Sequence, residues 1–445
     1  MKSPQVNSHR NTTSRRFGAL AVAVAVAAAS LVGVGTPAAA EPAAILGAGE
    51  PGAVPGYYLV VLKDSVVLRD SGVLTRDGQV PRGALSVPAR RAAAEAVDRT
   101  ARALADRYGA TVGHRYSAAL RGFTVRASEA AARRIATDAS VAFVEQNRRV
   151  RLNDASTPAT TLGTQPNPPS WGLDRVDQRN LPLDNSFSYP SSGGQGVHAY
   201  VIDSGIRFTH QDFGGRVVNG IDVVDGGTAD DCYGHGSHVA GTLAGTTYGV
   251  AKNVTLVAVR VWACDATGDI ATTTQAIDWV TANAQRPAVT NMSFGWPTSF
   301  SSGAFEAATN GLIDSGVTVV ASAGNDAGDA CAKTPAFIPA ALTVGNTWSD
   351  DGAAWLSNHG PCVDLFAPGQ NIVSAGYAND TAVAVKSGTS MAAPHVAGAA
   401  ALILAANPTW TPAQVHAQVL GNATSGVVFN TRPNTTSRLL YVPSS

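Results

Sequence analysis

The chain has 445 residues, of which 45% are hydrophobic and 14% charged, and its formal net charge is zero. This excludes intrinsic disorder, which needs low hydrophobicity and high net charge. It also leaves no electrostatic footprint for nucleic acid or an acidic membrane surface. The length suffices for one large, catalytic-sized domain and something smaller.

In chain order, residues 1–40 read as an export signal. Lys2, Arg10, Arg15 and Arg16 precede the apolar run from Phe17 to Val34, and Ala38-Ala39-Ala40 offers a small-residue cleavage site before Glu41. A membrane anchor fits less well, because the run is rich in Ala and Gly and meets the cleavage site at once. The Arg15-Arg16 pair leaves general and twin-arginine export both open.

Residues 41–153 change character: arginine is frequent, and cysteine and tryptophan are absent. Tyr57 to Leu62 predicts a strand. Ala94, Val97, Ala101 and Leu104 share one face of a helix over Ala89 to Tyr108. Phe123 to Val125 and Val141 to Val144 predict further strands, and Ser128 caps a helix running to Thr137. A small α+β domain follows from this alternation. Residues 154–170 carry Thr, Pro, Asn and Gly without periodicity, as a linker does.

From 171 to 445, short apolar runs alternate with helical patterns. Strands are expected at Val197–Ile202, Leu256–Val261, Val289–Ser293, Val317–Ala321 and Leu342–Val344. Helices are expected at His235–Leu243, Thr272–Asn283 and Phe305–Asp314, with a last one started by Thr411-Pro412. This order implies a parallel sheet covered on both faces, with chemistry at the C-terminal ends of its strands.

Asp203 and Asn325 stand just past two of those strands. Each alone is ordinary turn chemistry. His235 opens a helix between Gly234 and Gly236. It could pair with His238 as metal ligands, but no partner motif supports a metal. Ser390, in Gly388-Thr389-Ser390-Met391-Ala392-Ala393-Pro394-His395, is expected to begin a buried helix. There it either caps free N–H groups or acts as a nucleophile in the helix's positive field. Together the four residues supply nucleophile, base, orienter and oxyanion donor, the parts of an acyl-transfer site. The four cysteines, Cys232, Cys264, Cys331 and Cys362, form no C-x-x-C pair. In an exported chain they suggest two disulfides, with three pairings open.

At this point the chain resembles the subtilisin-like serine peptidases. The carrying motifs are Val201-Ile202-Asp203-Ser204-Gly205, His235-Gly236-Ser237-His238-Val239-Ala240-Gly241, Ser322-Ala323-Gly324-Asn325 and Gly388-Thr389-Ser390-Met391-Ala392-Ala393-Pro394. Asp, His and Ser occur in the order known for that family. The catalytic part is most similar to the proteinase K and aqualysin branch, and residues 41–153 look like its inhibitor-type propeptide.

The resemblance implies a subtilisin-like α/β fold: a mostly parallel twisted sheet with helices on both faces, behind a small α+β, ferredoxin-like propeptide domain. It implies a secreted, monomeric serine endopeptidase made as a self-inhibited precursor, with polypeptide substrates and its own propeptide as partners. Neither a nucleic acid nor a membrane is expected as a partner, and no catalytic cofactor is expected. Asp203, His235 and Ser390 become the triad, and Asn325 with the Ser390 N–H the oxyanion hole. Ser293, Phe294 and Gly295 with Ala321, Ser322, Ala323 and Gly324 would line the pocket for the residue before the cut. The implied disulfides are Cys232–Cys264 and Cys331–Cys362. Structural calcium is implied at Asp364 with the carbonyls of Pro335 and Phe337, and at a second cluster of Asp174, Asp177, Gln178, Asp184 and Ser186. Three residues depart from the family pattern: Trp296 replaces a small residue, Trp262 an aliphatic one, and Ser237 the usual Thr.

Two alternatives stay beside this one. Gly388-Thr389-Ser390-Met391-Ala392 also resembles an esterase nucleophile elbow, but only His395 and His416 follow Ser390, and His395 is too close in sequence to serve easily. A non-catalytic peptide binder would need a broken triad. A peptide ligase would use the same residues and differ only in excluding water.

Overall fold

The computed structural model describes residues 45–50, 52–71, 87–151, 155–156, 168–297 and 302–443. The expected export signal, Asn153 and Asp154, and most of the expected linker lie outside these residues.

Seven parallel strands form the central sheet, in the order Leu365–Pro368, Leu342–Thr347, Thr318–Ser322, Ala288–Met292, His198–Asp203, Thr255–Arg260 and Val217–Asp222. All six residues of Leu342–Thr347 and all five of Ala288–Met292 and Thr318–Ser322 are buried, as strands covered on both faces must be. Two strands escape the apolar-run test. Val217–Asp222 carries Asn219 and Gly220 at a sheet edge, and Leu365–Pro368 is short and ends in proline.

One sheet face is covered by helices His235–Ala244 and Thr389–Ala406, which pack on each other. By length and composition Thr389–Ala406 could cross a membrane, but 83% of it is buried within the protein, where it forms a core helix. The other face is covered by Ile270–Asn283 and Gly303–Asp314.

The amino-terminal unit is an antiparallel sheet ordered Thr111–Tyr116, Gly122–Arg126, Ala53–Leu62 and Val141–Arg151. Helices Asp64–Asp70, Val87–Tyr108 and Glu129–Ala136 accompany it, and Ser128 Oγ caps the last by accepting Ala131 N–H at 3.2 Å. Strand alternation splits its apolar residues two ways. Tyr58, Val60 and Leu62 pack on the unit's own helices. Leu59 and Val61 join Tyr116, Ala119 and Leu120 in the core shared with the second layer of the large sheet.

Candidate active site

Asp203 ends the strand His198–Asp203, and its Oδ1 lies 2.8 Å from His235 Nδ1 with both side chains fully buried. Helix and strand meet this closely because residue 236 is glycine: a Cβ there would lie 2.1 Å from the Gly205 carbonyl oxygen. The turn before His235 is wound around Asp231. Its Oδ1 accepts Ser204 Oγ, Tyr233 N–H and Gly234 N–H, and its Oδ2 accepts Ser237 N–H and Ser237 Oγ. Burial holds the Asp231 carboxyl above its ordinary value, and the bonds from Ser237, Gly234 and Tyr233 offset that only in part. Asp231 was legible only as an Asx-turn residue before Gly234-His235.

The nucleophile helix runs Thr389–Ala406, so Ser390 is its second residue rather than its first. Gly388 precedes it at φ +142°, with Asn325 Nδ2 only 3.2 Å from where a Cβ would stand. The second helical N–H is one of those without an intrahelical acceptor. Pro394 sits inside the helix and has no N–H, so the Ser390 carbonyl four residues back lacks its helical donor. Ser293 Oγ supplies one at 2.8 Å, and Ser390 Oγ donates to the Ser293 carbonyl at 3.1 Å. Asn291 Nδ2 donates to Ser293 Oγ at 2.9 Å and holds this two-way strap.

Asn325 follows the strand Thr318–Ser322. Its Oδ1 accepts Thr389 N–H at 2.8 Å and Thr389 Oγ1 at 3.0 Å. A backbone N–H can only donate, so the atom facing Thr389 is the amide oxygen and Nδ2 is left for the site.

Ser293-Phe294-Gly295 follow the strand Ala288–Met292, Ala321–Gly324 straddle the end of its neighbour Thr318–Ser322, and Ser322 Oγ donates to the Phe294 carbonyl at 3.4 Å. Trp296 stacks on Phe294 with centroids 5.9 Å apart and meets Phe305 edge-on at 4.8 Å; Trp262 packs edge-on to Phe294 at 5.6 Å. Phe294, Trp296 and Trp262 are all buried, and their rings form one aromatic cluster.

The amino-terminal unit continues into this cleft. Arg149, Val150 and Arg151 pair antiparallel with Asp269, Gly268 and Thr267. Residues 155 and 156 pair antiparallel with Ser387 and Lys386, directly before Gly388. The expected strand Val141–Val144 is therefore much longer, Val141–Arg151: Glu145, Gln146 and Arg148 pair with Leu59, Tyr58 and Ala53 of the neighbouring strand, and only the last three residues pair with the cleft edge Thr267–Asp269. Gly268 is required: a Cβ would lie 2.7 Å from the Trp262 ring.

Cys232 joins Cys264 and Cys331 joins Cys362. Among the described residues no three His, Cys, Asp or Glu side chains converge as a metal cage, although calcium also draws on carbonyl and amide oxygens. In the second expected cluster, Asp174 accepts Asp184 N–H and Asn185 N–H, Gln178 Oε1 accepts Asp184 N–H, and Asp184 Oδ1 accepts Ser186 N–H. Asp177 Oδ1 is buried with no hydrogen-bond partner, and burial, with Asp184 and Asp174 nearby, raises that carboxyl to about 6. In the first set, Asp364 Oδ2 already accepts Thr343 N–H, Oδ1 lies 3.7 Å from His416 Nε2, and the Pro335 carbonyl accepts Ile338 N–H. The first set thus offers one carboxylate, one of whose oxygens already accepts a backbone N–H. The second offers several, one of them unpartnered.

Residues 194–438 match the Subtilase family and residues 57–153 match Peptidase inhibitor I9. An "Extracellular serine proteinase" from Thermus sp. (strain Rt41A) is 44% identical over 91% of this chain and 94% of its own. "Alkaline serine exoprotease A" from Vibrio alginolyticus is 44% identical over 75% of this chain, which spans only 61% of that relative. A crystal structure of a cold adapted subtilisin-like serine proteinase is 49% identical, with a TM-score of 0.58, covering 61% of this chain and 97% of that one.

Proposed function

This chain belongs to the subtilase family, and from that premise we propose how its own residues carry out the reaction. It is a serine endopeptidase made as a self-inhibited precursor, with an I9-type domain as the inhibitor. Export of the mature enzyme is supported by the relative named extracellular.

Ser390 Oγ attacks the scissile carbonyl carbon. His235 takes the hydroxyl proton at Nε2 and passes it to the leaving amine. Asp203, 2.8 Å from Nδ1, fixes the tautomer and stabilises the imidazolium. The oxyanion receives the Ser390 N–H and Asn325 Nδ2. Water then enters from the leaving-group side, and the same histidine activates it to release the acyl group. The fully buried Asp203–His235 contact, on a helix packed against that of Ser390, carries this reading.

The substrate lies extended along Thr267–Asp269, as Arg149–Arg151 do, and pairs main chain to main chain. Phe294 favours an apolar or aromatic residue before the cut. Residues 149–151 and 155–156 of the precursor pair with Thr267–Asp269 and with Lys386–Ser387, and the substrate is taken to use the same two edges. Calcium, when bound, would tie the Asp174–Ser186 loop through Asp174, Asp177 and Asp184, with Gln178 and Ser186 contributing neutral oxygens.

Asn325→Ala tests the assignment. We expect kcat to fall about 10²–10³-fold with KM little changed. An unaltered kcat removes Asn325 from the site.

A further inference from the structure

We propose that Asn358 is a positioning residue for the oxyanion amide, acting through Asn325 without touching substrate; this rests on the role given above to Asn325. Asn358 is fully buried and lies far along the chain from the loop it organises. Its Nδ2 donates to the Ala323 carbonyl at 2.8 Å. Its Oδ1 accepts Asp326 N–H at 3.2 Å and Gly328 N–H at 2.9 Å. Its own N–H donates to the Gly324 carbonyl at 2.9 Å. The bonds therefore bracket residue 325 on both sides, and the loop is wound around one amide side chain.

Other bonds hold the loop's margins, among them Ala327 N–H to the Leu356 carbonyl and Gly324 N–H to Thr389 Oγ1, but Asn358 is the side chain that fills its inside. Gly324 has φ +103°, and a Cβ there would lie 2.4 Å from Asn358 Nδ2, so residue 324 is glycine because the Asn358 amide fills that space. Ala327 is also left-handed, at φ +53°, a conformation an alanine holds only when its surroundings over-determine it. Asn325 is then fixed from two directions. Asn358 sets the backbone beneath it, and Thr389 holds its amide oxygen. The Asn358 amide is needed as both donor and acceptor. A carboxylate there keeps the two bonds to Asp326 and Gly328 but turns an oxygen toward the Ala323 carbonyl.

The test is a double-mutant cycle on peptide hydrolysis by the mature enzyme, made as the full precursor with folding checked by thermal melting. Asn358→Asp is expected to lower kcat about 10–100-fold with KM within about twofold, less than loss of the donor itself. In the Asn325→Ala background the same substitution should change kcat by no more than about twofold, because the group it positions is gone. Asn358→Ser, which keeps a hydroxyl donor and acceptor in a smaller volume, should lie between wild type and Asn358→Asp. It carries the cycle if Asn358→Asp fails to fold. Equal losses in both backgrounds, or a loss confined to KM, overturn the positioning role while leaving Asn325 in the site. An unchanged kcat for Asn325→Ala alone overturns the oxyanion assignment instead.

Discussion

Replacing Glu145 with glutamine will flatten the pH dependence of self-inhibition. Glu145 belongs to the precursor strand Val141–Arg151, yet its Oε2 accepts Ser302 Oγ at 3.0 Å and Ala304 N–H at 3.3 Å, at the N-terminus of the catalytic-domain helix Gly303–Asp314. Burial lifts its pKa from 4.5 to about 7, against the pull of Ala304 N–H, the Ser302 hydroxyl and Arg148. The pKa is higher in the complex than in a solvated carboxyl, so the complex binds more protons. Inhibition is then tightest below the solvated pKa and is lost as pH rises through the bound one. From these two values, the inhibition constant should weaken about 30-fold between about pH 5.5 and about pH 8.5 through this group alone. Asp278, which accepts Ala118 N–H and Ala119 N–H from the precursor domain and is also raised by burial, adds to the same slope. That contribution cancels when wild type and Glu145→Gln are compared at each pH. The assay is peptide hydrolysis on dilution of the self-cleaved, non-covalent complex. The ratio of wild-type to variant inhibition constants should climb about 30-fold across that range. Parallel profiles would refute a titrating Glu145.

Chelation should lower the melting temperature by about 5–10 °C if calcium at about 100 times its Kd stabilises the fold. Asp177→Asn should abolish most of that shift, and an unchanged shift would move the ion elsewhere. Ser293→Ala leaves the Ser390 carbonyl without a donor that Pro394 cannot replace, at a cost of about 1–3 kcal/mol. The effect is read by melting in a Ser390→Ala background, where self-digestion is absent, and an unaltered melt denies the strap any weight. His416→Ala should leave kcat/KM within about twofold, whereas complete loss of activity would restore the esterase-like order of residues.

The strands that carry Asp203, Ser293 and Asn325 were readable because each is an apolar run buried on both faces, and its last residue necessarily emerges at the sheet's C-terminal edge. Asp203, His235 and Ser390 stood out as candidates because each lies in a motif carried by the family resemblance, and glycines such as Gly236 and Gly388 beside them permit close backbone approach. Residues acting at long range were not. Asn358 sits in a turn whose sequence says nothing of the loop it fills, and Asp231 reads as any turn aspartate. The charged half of Val141–Arg151 has no strand periodicity, since its burial partners lie in another unit of the chain. Glu145 in particular looks like a solvated carboxylate until Ser302 and the helix behind it are placed. Trp296 was legible only as a departure from the family pattern; its ring contacts with Phe294 and Phe305 were not.

The edge strand Thr267–Asp269 is only three residues long, flanked by Asp265 and interrupted by a glycine over Trp262. Such an edge is too short and too charged to recruit a second copy of the protein into a continuous sheet. It accepts only a chain whose own backbone groups are unpaired. A folded protein must therefore open locally before it is cut, and its rate of cleavage will follow the free energy of that opening. Main-chain pairing along Thr267–Asp269, as proposed for the substrate, thus selects unfolded over native chains before any side chain is read.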